Sequence, residues 1–406
     1  MSISDTFLDS LQDTKFLILK KNEITPIMKH VEGFFKSKKI VLYGGTAMNM
    51  YLDKKDQFYT ELDIPDYDGF HNNAKDTSVT LLKNLKQKRY EFLLVRYAIH
   101  DGTYKISWAF KDIADITQMN KFEYNRIIET SKIIDGMYVC NINLLKANAY
   151  IELAMPKSSL FRWSKVYKRV NLLEKKHKLT SKFKVQSMFN DNLSNYLEDI
   201  VEKIKSSCVK KKIPIVGFEA IKYYLNIKSK NTKTSFYNHD FPLIEVISEN
   251  MYKTSNDFEK MMVSKIKSVN KKENRESKNM ISYKYIYKQE SQIVPETIDC
   301  MLYDGKKTYH LYRIHDASTR CFSYQIQEDT KIYYGSIFFM LYYYYYQVFM
   351  NDDKNKLEIY KAILIELLLK IKKKNFSIKC HGFNKSISAI KKSRYLKKKP
   401  GVLISS

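Results

Sequence analysis

The sequence predicts a mixed α/β (α+β) fold, and three patterns in it support this prediction. An apolar run, "IVLY" at 40–43, ends at an adjacent glycine pair that precedes a helix-like segment. The stretch "YEFLLVRYAIHDGTYKISWAF" at 90–110 predicts two strands around an Asp-Gly turn, a strong short hairpin signal. Helical apolar spacing lies on both sides of these patterns, in 1–37 and 150–173. Strands mixed with helices around an early hairpin are typical of an α/β or α+β catalytic domain.

The remaining elements follow in chain order. A short strand is expected at 64–70 and a helix at 79–87, and the second hairpin strand is expected to continue through 119. Helices are predicted over 138–154 and 159–173. In the second half of the chain the predicted segments are a polar loop at 228–235, a charged loop at 269–280, a strand-rich block at 281–327, mostly helix to 373 and a basic cluster at 391–400.

Charge and composition limit the classes of function. The 406 residues carry 70 Lys and Arg against 44 Asp and Glu, a formal net charge of +26. A surplus of this size is typical of proteins that bind a polyanion, most often nucleic acid, although a general richness in Lys, Asn, Ile and Tyr contributes to it. With 44% hydrophobic residues the chain can form the cores of two or three domains, which excludes a disordered protein.

No export signal or membrane span is predicted. The N-terminal "MSISDTFLDSLQDTKF" lacks the apolar core of a signal peptide. The run "IFFMLYYYYYQVFM" at 337–350 is shorter than the about 20 residues that span a bilayer. We expect it to be a buried helix rather than a surface that stacks on bases. Five scattered cysteines without a CxxC pair predict neither a zinc site nor a disulfide framework, and they favour a reducing compartment.

The two halves of the chain share an internal similarity. "IVLYGGTAMNMYL" at 40–52 aligns with "IPIVGFEAIKYYL" at 213–225, which places Gly44 on Gly217. A second hairpin signal, Asp304-Gly305, corresponds to Asp101-Gly102 in the first half. These matches predict that the second half is a degenerate copy of the first. Phe218 and Glu219 replace the second glycine and the threonine of the first half.

The glycine pair and a nearby acid pair suggest phosphate chemistry. A strand that ends at Gly44-Gly45 allows close approach of the backbone to a phosphate, and Thr46 adds a hydroxyl donor. Asp66 and Asp68 are two residues apart, so in a strand both carboxylates face the same side. Two like charges so close require a cation, and their oxygen atoms suit Mg²⁺.

Alternatives exist for each acid. Glu61 and Asp63 have the same spacing as Asp66 and Asp68, but the latter pair lies in a cleaner short strand that leads into Gly69. A two-metal site requires a third carboxylate from a neighbouring strand. Asp115 is flanked by apolar residues near a strand end, whereas Asp112 follows Lys111 and is expected to be more exposed. We therefore prefer Asp115, with Asp112 as the alternative.

These motifs together resemble the nucleotidyltransferase superfamily and, more closely, the poly(A) polymerase catalytic subunits of poxviruses and other large cytoplasmic DNA viruses. The stretches that carry the resemblance are "YGGTAMNMYL" at 43–52, "IPDYDGF" at 64–70, "ADIT" at 114–117, "YIELAMPKSSLFRWSKVYKRVNLL" at 150–173 and "FSIKCHGF" at 376–383. The resemblance implies that Gly44, Gly45 and Thr46 hold the triphosphate of ATP. It also implies that Asp66 and Asp68 ligate two Mg²⁺ (or Mn²⁺) ions, and that Asp115 ligates the ion that activates the RNA 3′-hydroxyl.

The resemblance also gives an expected organisation. It divides the chain into an N-terminal helical segment (1–37), a nucleotidyltransferase catalytic domain (38–184) and a C-terminal RNA-binding, degenerate nucleotidyltransferase-like domain with a basic tail (185–406). It implies that the substrates are ATP and an mRNA 3′ end, in the cytoplasm of an infected cell and without membrane contact. A homodimer, a processivity or cap-methyltransferase subunit and packaging in the virion stay open.

One predicted helix carries basic side chains close to this motif set. Arg162, Lys165 and Arg169 recur at i, i+3 and i+7 beside an apolar face, so they form either a solvated basic face or a contact to nucleotide or RNA phosphate. The function expected from all of these features is template-independent addition of AMP to RNA. An inert RNA-binding partner subunit on the same fold is the alternative from another class, and a CCA- or U-adding enzyme is the alternative within the same chemistry.

Overall fold

The first helix confirms the helical spacing of the N-terminal region where the structure describes it. In α1 (Lys21–Ser37), Ile24, Ile27 and Val31 are fully buried on one face, as an amphipathic helix on a core requires.

The computed structural model describes residues 21–59, 63–64, 66–98, 102–155, 162–183, 185, 193–227, 241–275, 280–289, 291, 293–305, 307–318, 320–371 and 379–380. The predictions for 1–20, Glu61, Asp101, 228–235 and 391–400 lie outside these residues.

The described residues divide into two units. The first contains 21–146 and 162–177, and the second contains 147–155 together with the described residues from 178 to 380. The predicted domain limits 1–37, 38–184 and 185–406 stay predictions.

The first unit is built on a mixed seven-stranded sheet with the order β3-β4-β5-β2-β1-β7-β6. Its strands are β1 (Val41–Tyr43), β2 (Tyr67–His71), β3 (Leu93–Tyr97), β4 (Thr103–Trp108), β5 (Lys111–Gln118), β6 (Lys132–Ile134) and β7 (Met137–Val139). The other helices that begin in this unit are α2 (Gly44–Met50), α3 (Ala74–Gln87), α4 (Lys121–Thr130), α5 (Ile142–Ala154) and α6 (Trp163–Lys176). Strand β2 runs antiparallel to β1 and parallel to β5, so it lies at the centre of the sheet between these two strands.

The expectation that one strand continues through 119 is wrong. The chain reverses at Ala109 and Phe110, which have φ values of 45° and 67°, and β5 returns antiparallel to β4. Two-residue hairpin turns with positive φ normally use Asn or Gly, so "WAFK" contains no turn signal that the sequence could reveal. Because of this turn, Asp112 and Asp115 lie on β5, directly beside β2.

The second unit repeats this topology with an eight-stranded sheet in the order β10-β11-β12-β9-β8-β14-β13-β15. The strands are β8 (Ile215–Val216), β9 (Ile244–Ser248), β10 (Ser282–Lys288), β11 (Thr297–Asp304), β12 (Lys307–Asp316), β13 (Ser323–Gln327), β14 (Ile332–Gly335) and β15 (Lys379–Cys380). The helices are α7 (Asn195–Lys211), α8 (Gly217–Leu225), α9 (Met251–Lys272), α10 (Ile337–Met350) and α11 (Lys354–Ile371). Each of the first seven strands pairs with the same neighbours, in the same sense, as its counterpart in the first sheet. The predicted fold class, a nucleotidyltransferase-like mixed sheet followed by a second such domain, agrees with this arrangement.

Two details of the second half differ from the sequence prediction. Gly305 lies in the turn between β11 and β12, which correspond to β4 and β5, whereas Gly102 lies at the end of the β3–β4 connection. The two Asp-Gly hairpins are therefore not equivalent, because the chain places its turn glycine in a different hairpin of each sheet. The loop predicted at 269–280 is helical as far as Lys272, where α9 ends.

The aromatic run is a buried helix, as expected. In α10 the side chains of Tyr342, Tyr344 and Tyr345 are 1%, 1% and 0% exposed. Tyr150 stacks on Tyr345 with ring centroids 5.8 Å apart, so both rings belong to the core of the second unit.

Free thiols are present at Cys140, Cys208 and Cys300, whereas Cys321 is disulfide-bonded, which the scattered spacing did not predict. Within the described residues, every helix is too short or too polar to cross a bilayer.

Candidate active site

The glycine pair lies at the junction of β1 and α2. Gly44 has a φ of +71°, a conformation that residues with a side chain rarely adopt. A Cβ atom at this position would also lie 2.1 Å from the Asp68 Oδ2 atom. Gly44 is therefore required both by the turn and by the close approach of a carboxylate to the backbone.

One acid of the pair lies on the strand beside this turn, and the other directly precedes that strand. Asp68 on β2 is the register partner of Tyr43, the last residue of β1. Asp66 is two residues earlier, just before β2 begins at Tyr67, and its charge acts on the Asp68 carboxyl group. The Thr46 hydroxyl donates to the Asp66 carbonyl oxygen at 2.9 Å, and this bond connects the first turn of α2 to the start of β2.

The third acid comes from the strand on the other side of β2. Asp115 on β5 is the register partner of Asp68, so the strand pairing brings these two acids together. Asp66 lies close enough to act on both through its charge. Burial raises the pKa of Asp68 well above its usual value, and the neighbouring charges of Asp66 and Asp115 raise it further. The three carboxyl groups therefore oppose one another's ionisation.

A lysine that the sequence analysis missed partly neutralises the cluster. Lys105 on β4 is the register partner of Asp115. Its Nζ atom lies 2.7 Å and 2.9 Å from the two Asp115 carboxylate oxygens and 3.1 Å from Asp112 Oδ2. Burial raises the pKa of Asp115 to about 6 even though Lys105 opposes this shift. Only the register of β4 against β5 identifies Lys105, and the turn that sets this register has no sequence signal.

The alternative acids differ from the preferred ones in their surroundings. Asp112 accepts hydrogen bonds from Ser107 at 2.6 Å, Arg96 at 2.9 Å and Lys105. Burial raises the pKa of Asp112, but the Ser107 and Lys105 contacts outweigh burial and leave the pKa below its usual value. The Asp112 carboxylate thus already has several donors. Asp63 is exposed, and Glu61 lies outside the described residues.

The donor chemistry of the cluster fits a divalent cation. Three carboxylates supply hard oxygen ligands of the kind that Mg²⁺ prefers, and the Lys105 ammonium group already occupies a cation position on Asp115. Within the described residues, no group of three or more His, Cys, Asp or Glu side chains is arranged as a ready metal site. Asp115 would therefore have to exchange its contact with Lys105 for a contact with the ion.

The basic residues of α6 are not equivalent. Arg169 approaches the glycine pair, because a Cβ at Gly45 would lie 2.7 Å from its Nη1 atom. Arg162, just before α6, lowers the pKa of Asp68 through its charge and so lies near the acid cluster. Lys165 is exposed on α6. Val166 and Val170, from the predicted apolar face of this helix, are buried.

The second unit has a counterpart of this site with altered side chains. Gly217 has a φ of +66°, and a Cβ there would lie 2.4 Å from the Glu245 Oε1 atom. Glu245 is the register partner of Val216, the last residue of β8, and so takes the place of Asp68. Leu243 is two residues before Glu245, so it stands where the first unit has Asp66.

In the second unit, an arginine stands at the position that corresponds to the third acid of the first unit. Arg313 on β12 is the register partner of Glu245 and thus corresponds to Asp115. Asp299 on β11 is opposite Arg313, where the first unit has Lys105. The Arg313 Nε and Nη2 atoms lie 2.6 Å and 2.9 Å from the Asp299 carboxylate oxygens, and Nη1 also contacts the Tyr343 hydroxyl. The signs of the ion pair are therefore reversed relative to the first unit.

The residues that replace the second glycine and the threonine are also engaged within the second unit. Phe218 packs edge-on against Phe241 with ring centroids 4.8 Å apart. Glu219 forms ion pairs with Lys205 at 2.8 Å and Lys222 at 3.0 Å. Burial raises the pKa of Glu219, but the two lysines outweigh burial and lower the pKa. This turn thus contains an aromatic ring and an ionised carboxylate whose charge is balanced by two lysines.

Comparisons with known proteins agree with the motif analysis. The family model "Poly(A) polymerase catalytic subunit" matches residues 29–159, which include the glycine pair and all three acids. A provisionally assigned poly(A) polymerase catalytic subunit of African swine fever virus (strain Badajoz 1971 Vero-adapted) is 27% identical over 160 residues, which are 38% of this chain and 33% of that protein. The corresponding protein of Acanthamoeba polyphaga mimivirus is 24% identical over 208 residues, 49% of this chain and 35% of that protein. The chain thus spans about a third of the length of these curated relatives.

A solved structure extends the similarity to the whole fold. The crystal structure of the Megavirus polyadenylate synthase superposes with a TM-score of 0.69 and covers 93% of this chain and 77% of that chain, at 18% sequence identity. This likeness shows a shared nucleotidyltransferase-like fold. The family match and the shared fold confirm the resemblance that the motifs indicated: this chain is similar to the poly(A) polymerase catalytic subunits of large DNA viruses.

Proposed function

We propose that the chain is a template-independent poly(A) polymerase that transfers AMP from ATP to an RNA 3′ end. The observation that carries this proposal is the convergence, beside the Gly44 turn, of Asp66 just before β2, Asp68 on β2 and Asp115 on β5. The match of residues 29–159 to the poly(A) polymerase family supports adenylate as the transferred group.

Asp66, Asp68 and Asp115 would hold the divalent metal ions. When bound, Mg²⁺ or Mn²⁺ would supply Lewis-acid polarisation of the phosphate and lower the pKa of the attacking hydroxyl. The protein's own contribution is to fix these carboxylates on adjacent strands of one sheet, which positions the reactants and lowers the entropic part of the barrier. Lys105 favours the ionised form of Asp115 and so opposes the effect of burial on the pKa of this acid.

The nucleotide triphosphate is assigned to the turn after β1. Gly44 and Gly45 let the side chains of Asp68 and Arg169 approach this turn closely, and Thr46 connects the turn to Asp66. The guanidinium groups of Arg162 and Arg169 complement phosphate oxygens, with which arginine forms paired hydrogen bonds. Lys165, exposed on the same helix, is assigned to the RNA or nucleotide phosphates with less geometric support.

We also propose where the reaction takes place and what the second unit does. The viral relatives support work in the cytoplasm of an infected cell, with packaging in the virion as a further possibility to test. We assign the second unit no catalysis, because Leu243 and Arg313 replace two of the three acids. RNA binding, self-association and recruitment of a processivity or cap-methyltransferase subunit are the roles to test for it.

Incubation of the full chain with a labelled oligoribonucleotide, Mg²⁺ or Mn²⁺ and each NTP separately tests the activity. A long ladder with ATP alone is expected. Extension by CTP or UTP would instead indicate a CCA- or U-adding enzyme. RNA binding without extension by any NTP would indicate an inert RNA-binding subunit.

Matched substitutions then test the site. Asp68→Asn is expected to lower the extension rate by about 10³-fold or more, because several kcal/mol of metal-dependent stabilisation is lost. Asp63→Asn, at an exposed acid of the alternative pair, should leave the rate nearly unchanged. Asp112→Asn should reduce thermal stability more than the rate, since Ser107, Arg96 and Lys105 lose a charged acceptor. The assignment is wrong if Asp63→Asn abolishes extension while Asp68→Asn does not.

A further inference from the structure

The second glycine of the pair is explained by two side chains that occupy its space. Gly45 does not share the positive φ of Gly44, so the turn alone does not require a glycine there. A Cβ atom at Gly45 would lie 2.4 Å from the Tyr59 hydroxyl oxygen and 2.7 Å from Arg169 Nη1. Any other residue at position 45 would displace this hydroxyl or this guanidinium group.

Arg169 is held in place by aromatic rings. Its guanidinium carbon lies 4.2 Å from the ring centroid of Phe58 and 5.0 Å from that of Tyr59. Both distances are inside the range of about 6 Å over which a ring face attracts a cation. Arg169 comes from α6, whereas the two rings come from the segment that follows α2, so this contact joins two separate elements of the first unit.

The ring segment is fixed by the helix that carries the glycine pair. The Asn49 Oδ1 atom, near the end of α2, accepts hydrogen bonds from the backbone N–H of Phe58 at 2.9 Å and of Tyr59 at 3.2 Å. The position of the rings relative to Gly45 is therefore determined within one short stretch of chain.

Charges of both signs act on the Tyr59 hydroxyl. Burial raises the pKa of Tyr59, Arg169 opposes this shift and the charges of Asp66 and Asp68 reinforce it. The Tyr59 hydroxyl thus lies within the electrostatic reach of both the guanidinium group and the acids.

We propose that Phe58 and Tyr59 are positioning residues that hold the Arg169 guanidinium group at the glycine pair, where it binds phosphate oxygens of the incoming nucleotide. This inference rests on the proposed function for the identity of the nucleotide. Its ligand chemistry, a polyphosphate chain, follows from the planar fork of arginine, which pairs with two phosphate oxygens.

Binding of inorganic tripolyphosphate to the full chain, measured by calorimetry, tests this inference without catalysis. Phe58→Leu keeps an apolar side chain of similar bulk but removes the ring face. It should weaken binding by about 5-fold, within the range measured for cation–ring contacts, whereas Phe58→Trp should preserve binding. Phe122→Ala is the control, because Phe122 is an exposed phenylalanine on α4 of the same unit.

A double substitution shows whether the ring acts through the arginine. Arg169→Met should weaken tripolyphosphate binding, and adding Phe58→Leu to it should cause no further loss. In extension assays Phe58→Leu should raise KM for ATP by a similar factor and change kcat less. Absence of tripolyphosphate binding by the unmodified chain, equal binding by Phe58→Leu, or a further loss in the double variant would each overturn the inference. Failure of extension alone would contradict the proposed function and leave this binding result standing.

Discussion

At the residue scale, the two units carry ion pairs of opposite sign at equivalent positions of the same strand arrangement. In the first, Lys105 and Asp115 are opposed across β4 and β5, and two further carboxylates leave the cluster acidic. In the second, Asp299 and Arg313 are opposed across β11 and β12, and the cation belongs to the chain itself. In the second unit a guanidinium group thus stands at the strand position that a carboxylate occupies in the first.

The positive φ of Gly44 and of its counterpart Gly217 allows a residue-scale prediction. Gly44→Ala and Gly217→Ala should each lower stability by about 1–3 kcal/mol, because alanine is strained at this φ and its Cβ would displace Asp68 or Glu245. Only Gly44→Ala should also abolish RNA extension, since Asp68 belongs to the proposed site. Urea unfolding and extension by the folded fraction measure the two effects.

A third glycine serves as the control for this pair. Gly33 lies in α1, and a Cβ there would meet nothing within 4 Å. Gly33→Ala should therefore raise stability by roughly 0.5–1 kcal/mol, because helix propensity improves. Equal loss of extension in Gly44→Ala and Gly217→Ala would contradict the view that only the first turn is catalytic.

Local chemistry explains which residues of the proposed site the sequence could indicate. Asp66 and Asp68 follow from their spacing, and the apolar neighbours of Asp115 indicated a buried acid. Lys105 was missed because its role depends on the register of two strands, and Tyr59 because its role depends on packing of distant segments. Gly45 was attributed to phosphate approach alone, whereas the structure shows two side chains in its space.

At the scale of elements, α10 shows how a run of tyrosines becomes a core. Its rings are buried, so each hydroxyl needs a partner or imposes a desolvation cost. The Tyr342 hydroxyl donates to the Ile293 carbonyl oxygen at 2.9 Å. Within the described residues, the buried Tyr344 hydroxyl has no hydrogen-bond partner. A tyrosine hydroxyl thus has a hydrogen-bond partner at position 342 and a desolvation cost without one at position 344.

This contrast gives an element-scale prediction. Tyr344→Phe should leave stability unchanged or raise it by up to about 1 kcal/mol, because it removes an unpaired buried hydroxyl. Tyr342→Phe should lower stability by about 1 kcal/mol, because the Ile293 carbonyl loses its donor. Thermal unfolding of both variants, which differ from the parent by one oxygen atom each, is the measurement. A larger loss in Tyr344→Phe than in Tyr342→Phe would contradict the assignment.

Elements with local signals were predicted well, and the one without a signal was not. The strand, glycine and helix of 40–52 and 213–225 were correct because apolar runs that end at glycine leave few alternatives. The β4–β5 turn was missed because Ala109 and Phe110 adopt positive φ without Gly or Asn. The tertiary pairing of β5 with β2 stabilises this turn against its local preference.

At the scale of the whole molecule, the net charge of +26 should govern RNA affinity. Each phosphate that the protein neutralises releases counterions, so the logarithm of the binding constant should fall linearly with the logarithm of salt concentration. For 6–10 phosphate contacts the loss is about 10³–10⁵ between roughly 50 and 200 mM salt. Fluorescence anisotropy with a labelled oligoribonucleotide at fixed Mg²⁺ measures this slope. A slope near zero would mean that the charge reflects composition rather than a binding surface.

A buried network of acidic, histidine and arginine side chains predicts how the stability of the second unit depends on pH. Burial raises the pKa of Glu245 and Asp299, but bonds from His315, His310 and Arg313 outweigh burial and leave both values below their usual range. Burial lowers the pKa of His315. Unfolding thus takes up a proton at His315 below about pH 6.5 and protons at the two acids below about pH 4.5. Stability should therefore be greatest near neutral pH and should fall as the pH decreases, first gently and then steeply.

Buried thiols can report on each unit separately in this experiment. Cys300 is fully buried in the second unit and Cys140 in the first. Urea titrations between pH 7 and pH 4, with thiol labelling by a pyridyl disulfide that reacts in acid, should show the midpoint at Cys300 falling with pH. Glu245→Gln removes the charge that His315 and Arg313 contact, so it should lower this midpoint at pH 7 and flatten its change with pH. A Cys300 midpoint that stays constant from pH 7 to pH 4 would show that the network of Glu245, Asp299, Arg313 and His315 does not stabilise the second unit.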